Sequence, residues 1–271
     1  MTEIGTQIKF EICAGSLQSA LNAQEAGANR VELCSALSLG GLTPSYSTIE
    51  MARKMLKIDI NVLIRPRQGD FLYDSEEVAV MIGDIRTCAS LGVQGVVIGA
   101  LDPLGNIDMD CCRALVATAR NYGLSVTFHR AIDRAYDIFT ALDDAIALGV
   151  DRILTSGGKP SAYEGLETIT QMNRIADGRV IIIPGAGIGP DNIKEIVTTA
   201  GVSEVHFSGS HTYDSPMLYR GGVSENYTRT ESSILKIKET ILAAREKGGL
   251  LRSNWGVEVP NGHKKRSSKS N

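Results

Sequence analysis

Two short stretches pair an acid with a thiol: FEICAGS, from Phe10 to Ser16, and VELCSAL, from Val31 to Leu37. In each, a glutamate stands two residues before a cysteine. Side chains alternate across a strand, so Glu11 shares a face with Cys13, and Glu32 with Cys34. Thiolates are soft donors that select copper(I) or zinc, and carboxylates can hold or move protons. Cations and bases come from Arg65 in NVLIRPR, His129 in VTFHR and His206 in EVHFSG. If the aliphatic neighbours face outward, these three side chains turn toward the same interior as the two glutamates.

Such an interior needs internal compensation, because an unpaired buried charge costs several kcal/mol or shifts its pKa until it is neutral. Two readings are open. Glu11 and Glu32 pair with Arg65 and with the arginines at strand starts and merely hold register, or the set lines a polar pocket with acids, bases and an anion-binding arginine. Glycine-rich turns add a second signal: LTSGGK, IPGAGIGPDN and FSGS place Ser156, Gly157, Gly185, Gly187, Ser208 and Gly209 where backbone N–H groups can approach an anion. The plainer reading of those residues is turn chemistry. Lys159 lies in the first of these loops rather than within a strand, which disfavours a Schiff-base aldolase. Cys88, Cys111 and Cys112 fall on expected helices and suit packing. His211 and His263 lie in a long loop and in the tail and gain no role from position.

The elements that must position these groups alternate strictly. Strands are expected at Phe10–Cys13, Arg30–Leu33, Ile58–Ile64, Gly95–Ile98, Ser125–Phe128, Arg152–Leu154, Val180–Ile183 and Glu204–Phe207. Ser16 offers an N-cap to a helix that stops at Gly27. Further helices are expected near Tyr46–Leu56, Ser75–Leu91, Asp108–Tyr122, Tyr136–Leu148, Glu164–Ala176, Pro190–Thr199 and Glu231–Arg245. EAGANRVEL, SLGVQGVVI, ALGVDRILT and TAGVSEVHF each run from a helix end through glycine into a short apolar strand, the turn of a parallel-sheet protein. Eight strand–helix units predict an α/β fold, a (β/α)8 TIM barrel in a single domain over 8–250, with active groups at the carboxyl ends of the strands. The stretch SGSHTYDSPMLYRGGVSENYT reads as a long loop after strand eight, and 251–271 as a polar, basic, disordered tail.

Composition narrows the function. A 43% hydrophobic chain of 271 residues can bury one large core. The formal net charge of −3 conceals an asymmetry, since Lys264, Lys265, Arg266 and Lys269 fall in the last nine residues and leave a more acidic body. That body gives no electrostatic reason to expect nucleic-acid binding, and the KKR run reads either as a nuclear address or as a solvated end. No apolar run is long enough for a membrane span and the N-terminus lacks a secretory pattern, so a cytoplasmic protein is expected. Five scattered cysteines suit a reducing compartment.

In order along the chain, EIC, RVELCSALSLGGLTPS, IRPRQGDFLY, VTFHRAID, RILTSGG, PGAGI and EVHFSG resemble the CutC family of copper homeostasis proteins, from about residue 9 to 221. The resemblance implies a TIM barrel, a homo-oligomeric tendency, a cytosolic location with a nuclear pool in some eukaryotic members, and a role in copper uptake, storage or delivery. It places Cys13 and Cys34 at the family's proposed copper(I) ligands. It places Glu11, Glu32, Arg65, His129, Arg130, Asp133 and His206 at its characteristic polar positions. Gln68 departs from a more usual glycine. The leading expectation is therefore a copper(I)-binding protein. Its rival is an enzyme acting on a small anionic, phosphorylated or carboxylated metabolite by acid–base chemistry, with Asp133 orienting His129 or Arg130. A scaffolding role ranks third.

Overall fold

The computed structural model describes residues 8–221 and 227–245; the expected tail and its basic run lie outside the described residues. Eight short strands alternate with helices in the expected order. They are β1 (Lys9–Ala14), β2 (Arg30–Leu33), β3 (Asp59–Leu63), β4 (Gly95–Ile98), β5 (Ser125–Phe128), β6 (Arg152–Thr155), β7 (Ile181–Pro184) and β8 (Glu204–Phe207). Between them run α1 (Leu17–Glu25), α2 (Tyr46–Met55), α3 (Ser75–Leu91), α4 (Met109–Asn121), α5 (Ile138–Ala147), α6 (Leu166–Ala176) and α7 (Ile193–Ala200). All neighbouring strands pair in parallel, in the order β7-β6-β5-β4-β3-β2-β1-β8. The terminal strands β7 and β8 lie against each other, so the sheet curls into a nearly closed (β/α)8 barrel.

Local chemistry explains the boundaries. Ser16 Oγ accepts the Ser19 amide at 3.1 Å and starts α1. Asp74 and Glu77 form a reciprocal capping box at α3. Gly92 and Gly201 end α3 and α7 at φ +74° and +66°, which a residue with a Cβ adopts at a cost. Each helix then returns through an apolar residue to the next strand.

The two faces of each strand divide the core. Phe10, Ile12, Val31, Leu33, Ile60, Val62, Phe128 and Ile153 join the helices in one continuous apolar layer and are almost fully buried. Inside the barrel a small cluster of Cys34, Leu63 and Val97 is packed by Cys13. Much of the remaining interior is polar, with Glu11, Arg30, Asn61, Thr127 and Glu204 all buried beside Leu154 and Ile183. The alternation forces this arrangement, because an outward aliphatic residue at every second position leaves only the intervening residues to fill the centre.

The stretch expected as a loop after β8 begins with a strand, β9 (Ser210–Tyr213), which pairs antiparallel with β10 (Arg229–Ser232) just beyond that stretch, so Glu231 belongs to a strand and α8 (Ile234–Arg245) begins later than expected. Both strands are short, polar and mostly exposed, and carry no apolar alternation to read. The hairpin is fastened to the first unit of the barrel: Ser232 N donates to Ser19 Oγ at 3.0 Å, and Asn22 Nδ2 donates to the Ser232 carbonyl at 2.8 Å.

Gly95 carries the tightest constraint on the barrel interior. A Cβ there would collide with Ser125 Oγ and Asn61 Oδ1 and would stand 2.8 Å from the Ser125 carbonyl oxygen. Gly95→Ala is expected to destabilise the protein by roughly 1–3 kcal/mol through overpacking. Chemical denaturation checks this, and an unchanged midpoint would contradict the packing described.

Candidate functional site

The floor of the site is a buried ion network. Arg30, at the start of β2, pairs with Glu11 of β1 and donates from Nη2 to Glu204 Oε2 of β8 at 2.6 Å. Arg152 of β6 reaches the same Glu204 oxygen at 3.2 Å. Glu11 is 1% exposed and Glu204 3%, so these charges meet out of contact with bulk solvent. Of the two sequence readings, the pairing of Glu11 with a strand-start arginine is what the geometry contains, whereas Arg65 pairs with neither glutamate.

Above the floor stands His206. Its Nδ1 lies 2.8 Å from Glu11 Oε1, and its Nε2 lies 3.7 Å from Glu32 Oε2. Cys13 Sγ donates to Glu32 Oε2 at 3.4 Å and stands 3.8 Å from Cys34 Sγ. One donor atom from each of Cys13, Glu32 and His206 falls within 4.8 Å of the others. Cys13 is half-buried, and the other members of the cluster are buried. Cys34 points its thiol toward the Ala14 carbonyl at 3.6 Å.

Protonation follows from these contacts. Burial by itself would raise the Glu11 carboxyl, but the Arg30 charge and the His206 hydrogen bond overcome it and hold the pKa at about 2. Glu32 has no arginine in contact, so burial raises it; His206, and more weakly Cys13 and Arg30, pull it back without cancelling, and Glu11 pushes it further up. Burial disfavours charged His206, yet the Glu32 charge and bonds to Cys13 and Glu11 hold it well above an ordinary imidazole. The Cys13 thiol is pushed well up by its Cys34 partner, by burial and by Glu32. The cluster therefore stores protons beside two soft donors.

A cavity of about 250 Å³ opens over this cluster, and Arg65, Phe71, His129 and Arg130 line its far side. Arg65 Nη1 donates to the Leu39 and Gly41 carbonyls at 3.2 and 3.0 Å, and Nη2 to the Gly69 carbonyl at 2.9 Å. His129 Nδ1 accepts the Ala131 amide at 3.1 Å. Burial and then the Arg65 charge lower the His129 pKa to about 3.

Asp133 orients Arg130, with 2.8 Å from Nε to Oδ2, and makes no hydrogen bond to His129. The same carboxylate accepts the amides of Ser156 and Gly158 at 3.0 Å. The loop after β6 thus cradles the protein's own anion. Gly157 N is used by Thr155 Oγ1, and a Cβ on Gly157 would stand 2.5 Å from the Gly165 carbonyl oxygen. Gly185 and Gly209 are pressed against Leu154 and Ile237, where a Cβ on either glycine would stand 2.6 Å from its neighbour, so packing accounts for both. Among the six glycine-loop positions, Gly187 and Ser208 line the cavity. Lys159 is exposed and does not line it. Cys88, Cys111 and Cys112 are buried in the outer core, as packing requires.

Sequence reasoning assigned no site role to Glu204, Arg152, Asn61 or Phe71. The first three could have been found by carrying the inward parity one step back along each strand, since Glu204 precedes His206 by two. Phe71 lies in a loop, where no periodicity operates.

The CutC family model matches residues 8–211. A family protein CutC from Xylella fastidiosa (strain Temecula1) is 51% identical over 205 residues, 76% of each chain. One from Parabacteroides distasonis is 47% identical over 239 residues, covering 88% of this chain and 96% of its own. A solved structure from Streptococcus agalactiae, provisionally named a copper homeostasis protein CutC, is 32% identical with a TM-score of 0.71, covering 74% of this chain and 99% of its own. Among the described residues no helix is long and apolar enough to cross a membrane.

Glu11 sets an acid limit on stability. Its folded pKa of about 2 lies below its ordinary 4.5. Its contribution, about 3 kcal/mol, is present above pH 4.5 and is lost as pH falls through about 2. Glu11→Gln is expected to be less stable at neutral pH, because Arg30 loses a buried partner, and to lose stability less steeply between pH 4.5 and 2. Denaturation midpoints across that range check it; parallel profiles for the two proteins would contradict the network.

Proposed function

Because the chain belongs to the CutC family, we propose that it is a copper(I)-binding protein of copper homeostasis, with the ion held at the barrel mouth by Cys13 and Cys34. The observation that carries this reading is the 3.8 Å separation of the two sulfurs, beside His206 and Glu32. Two thiolates on one tetrahedral metal, at bond lengths of about 2.3 Å, stand about 3.8 Å apart. The pair therefore needs little movement to close on an ion. Thiolates favour copper(I), and His206 Nε2 supplies a third donor once its proton leaves. Glu11 fixes the His206 ring through Nδ1, as an outer partner of a metal-bound histidine does. The donor set by itself also suits zinc, and the copper-homeostasis name of the S. agalactiae relative favours copper. Copper is cargo here, and the ion network beneath keeps the donors in place whether or not it is loaded.

A second reading is favoured by the proton-holding pair Glu32 and His206 facing a cavity larger than one ion requires. In it the pocket performs acid–base chemistry on a small anionic metabolite.

Anaerobic titration of copper(I) against a competing chelator tests the first reading. The Cys13→Ser, Cys34→Ser protein is expected to lose affinity by more than the roughly 10–100-fold that loss of an outer-shell partner costs, while keeping its unfolding midpoint within a few degrees. Undiminished affinity in a folded double variant would overturn it.

A further inference from the structure

Arg65 is 5% exposed, yet it forms no ion pair among the described residues. Its guanidinium is held by three neutral backbone carbonyls, and its Nε has no hydrogen-bond partner. The nearby Asp70 carboxylate is exposed and pairs with Arg67 instead. The Tyr73 phenol beside Arg65 is pushed up to about 12 by burial and stays neutral. A buried cation without a paired counter-charge is costly unless an anion joins it. The second orphan is beside it: His129, also 5% exposed, has an unpartnered Nε2. Because Nδ1 accepts the Ala131 amide, Nε2 carries the proton of the neutral ring, and His129 offers a donor without a charge. The copper reading leaves both groups unused.

One ring covers both. Phe71 lies 4.9 Å from the His129 ring and 5.0 Å from the Arg65 guanidinium carbon. It is half-buried, and its carbonyl is tied to Leu101 N at 2.8 Å, so the ring rather than the backbone is the movable part of the seal.

We propose that Arg65 and His129 form the anion-binding wall of the barrel cavity, and that it takes a small organic monocarboxylate when the Phe71 ring turns aside. A planar carboxylate presents two oxygens to the Arg65 Nε–H and His129 Nε2–H donors. One uncompensated cation calls for one negative charge. A phosphate dianion would bring a second negative charge, and the other arginine on this wall, Arg130, is already paired with Asp133. The cavity, about 250 Å³, is slightly smaller than the usual range for small-molecule sites and limits the ligand to a few carbons beyond the carboxylate. The site rests on the small-anion reading for its class of ligand, and it requires neither copper nor turnover.

Thermal unfolding and calorimetric titration of metal-free protein with acetate, pyruvate and inorganic phosphate at millimolar concentration test it. At least one carboxylate is expected to raise the unfolding temperature and to bind with one-to-one stoichiometry. Arg65→Gln should weaken that binding by about tenfold or more, as loss of a charge-assisted bond does. His129→Phe, which keeps an aromatic ring against Phe71, should weaken it less. Phe71→Ala should tighten binding, because no ring then has to turn aside, which keeps the test decisive if Arg65→Gln fails to fold. No response to either carboxylate, a response to phosphate alone, or binding indifferent to both His129→Phe and Phe71→Ala would overturn the proposal. Because binding is read without metal or catalysis, failure of the copper reading or absence of turnover leaves it standing.

Discussion

The pairing of Arg30 with Glu11 and Glu204 is the interaction on which the rest of the site depends. It joins three strands that are adjacent in the sheet, the consecutive β1 and β2 and the distant β8, which flanks β1 on its other side. Removing either carboxylate would leave a buried guanidinium short of charge, a loss of the several-kcal/mol kind. The network also does more than hold register: Glu11, kept ionised by Arg30, is the group that orients His206. A structural ion pair at the barrel centre is thus continuous with the functional groups at its mouth.

The two glutamates illustrate how environment divides identical side chains. Glu11 lies against an arginine and keeps its charge, whereas Glu32, one strand over, has His206 and the Cys13 thiol as its close neighbours and is raised. The outcome is an acid pair with separate roles, one anchoring and one able to exchange a proton. Cys13 joins the second group, and its raised thiol ties any metal loading to proton release. The opposite wall has the reverse character, with Arg65 and neutral His129 under Phe71. A pocket with a proton-rich thiol wall and a cationic wall is polarised across its width.

Much of this was legible in the chain. The repeated helix–glycine–strand passages set the number and order of units, and the period-two parity of Glu11–Cys13, Glu32–Cys34 and His206 placed those groups inside. The glycine loops were less informative, because glycine permits close approach to any neighbour. At Gly157 and Gly209 that neighbour is the protein's own backbone or Ile237. The β9–β10 hairpin was invisible for another reason: its strands are polar and exposed, and each is defined by a distant partner rather than by its own pattern.

The sequence by itself determined the barrel, the inward set of residues and the family to which the chain belongs, since periodicity and ordered motifs are local properties of the chain. Tertiary structure alone decided which inward charges meet. Register brought Arg30 rather than Arg65 to Glu11, left Arg65 among neutral carbonyls, and set the two sulfurs 3.8 Å apart. Those outcomes depend on ångström-scale separations between neighbouring strands and the loops that follow them. Coulomb energy and hydrogen bonding vary steeply over such distances, whereas residue spacing along one strand carries no information about them.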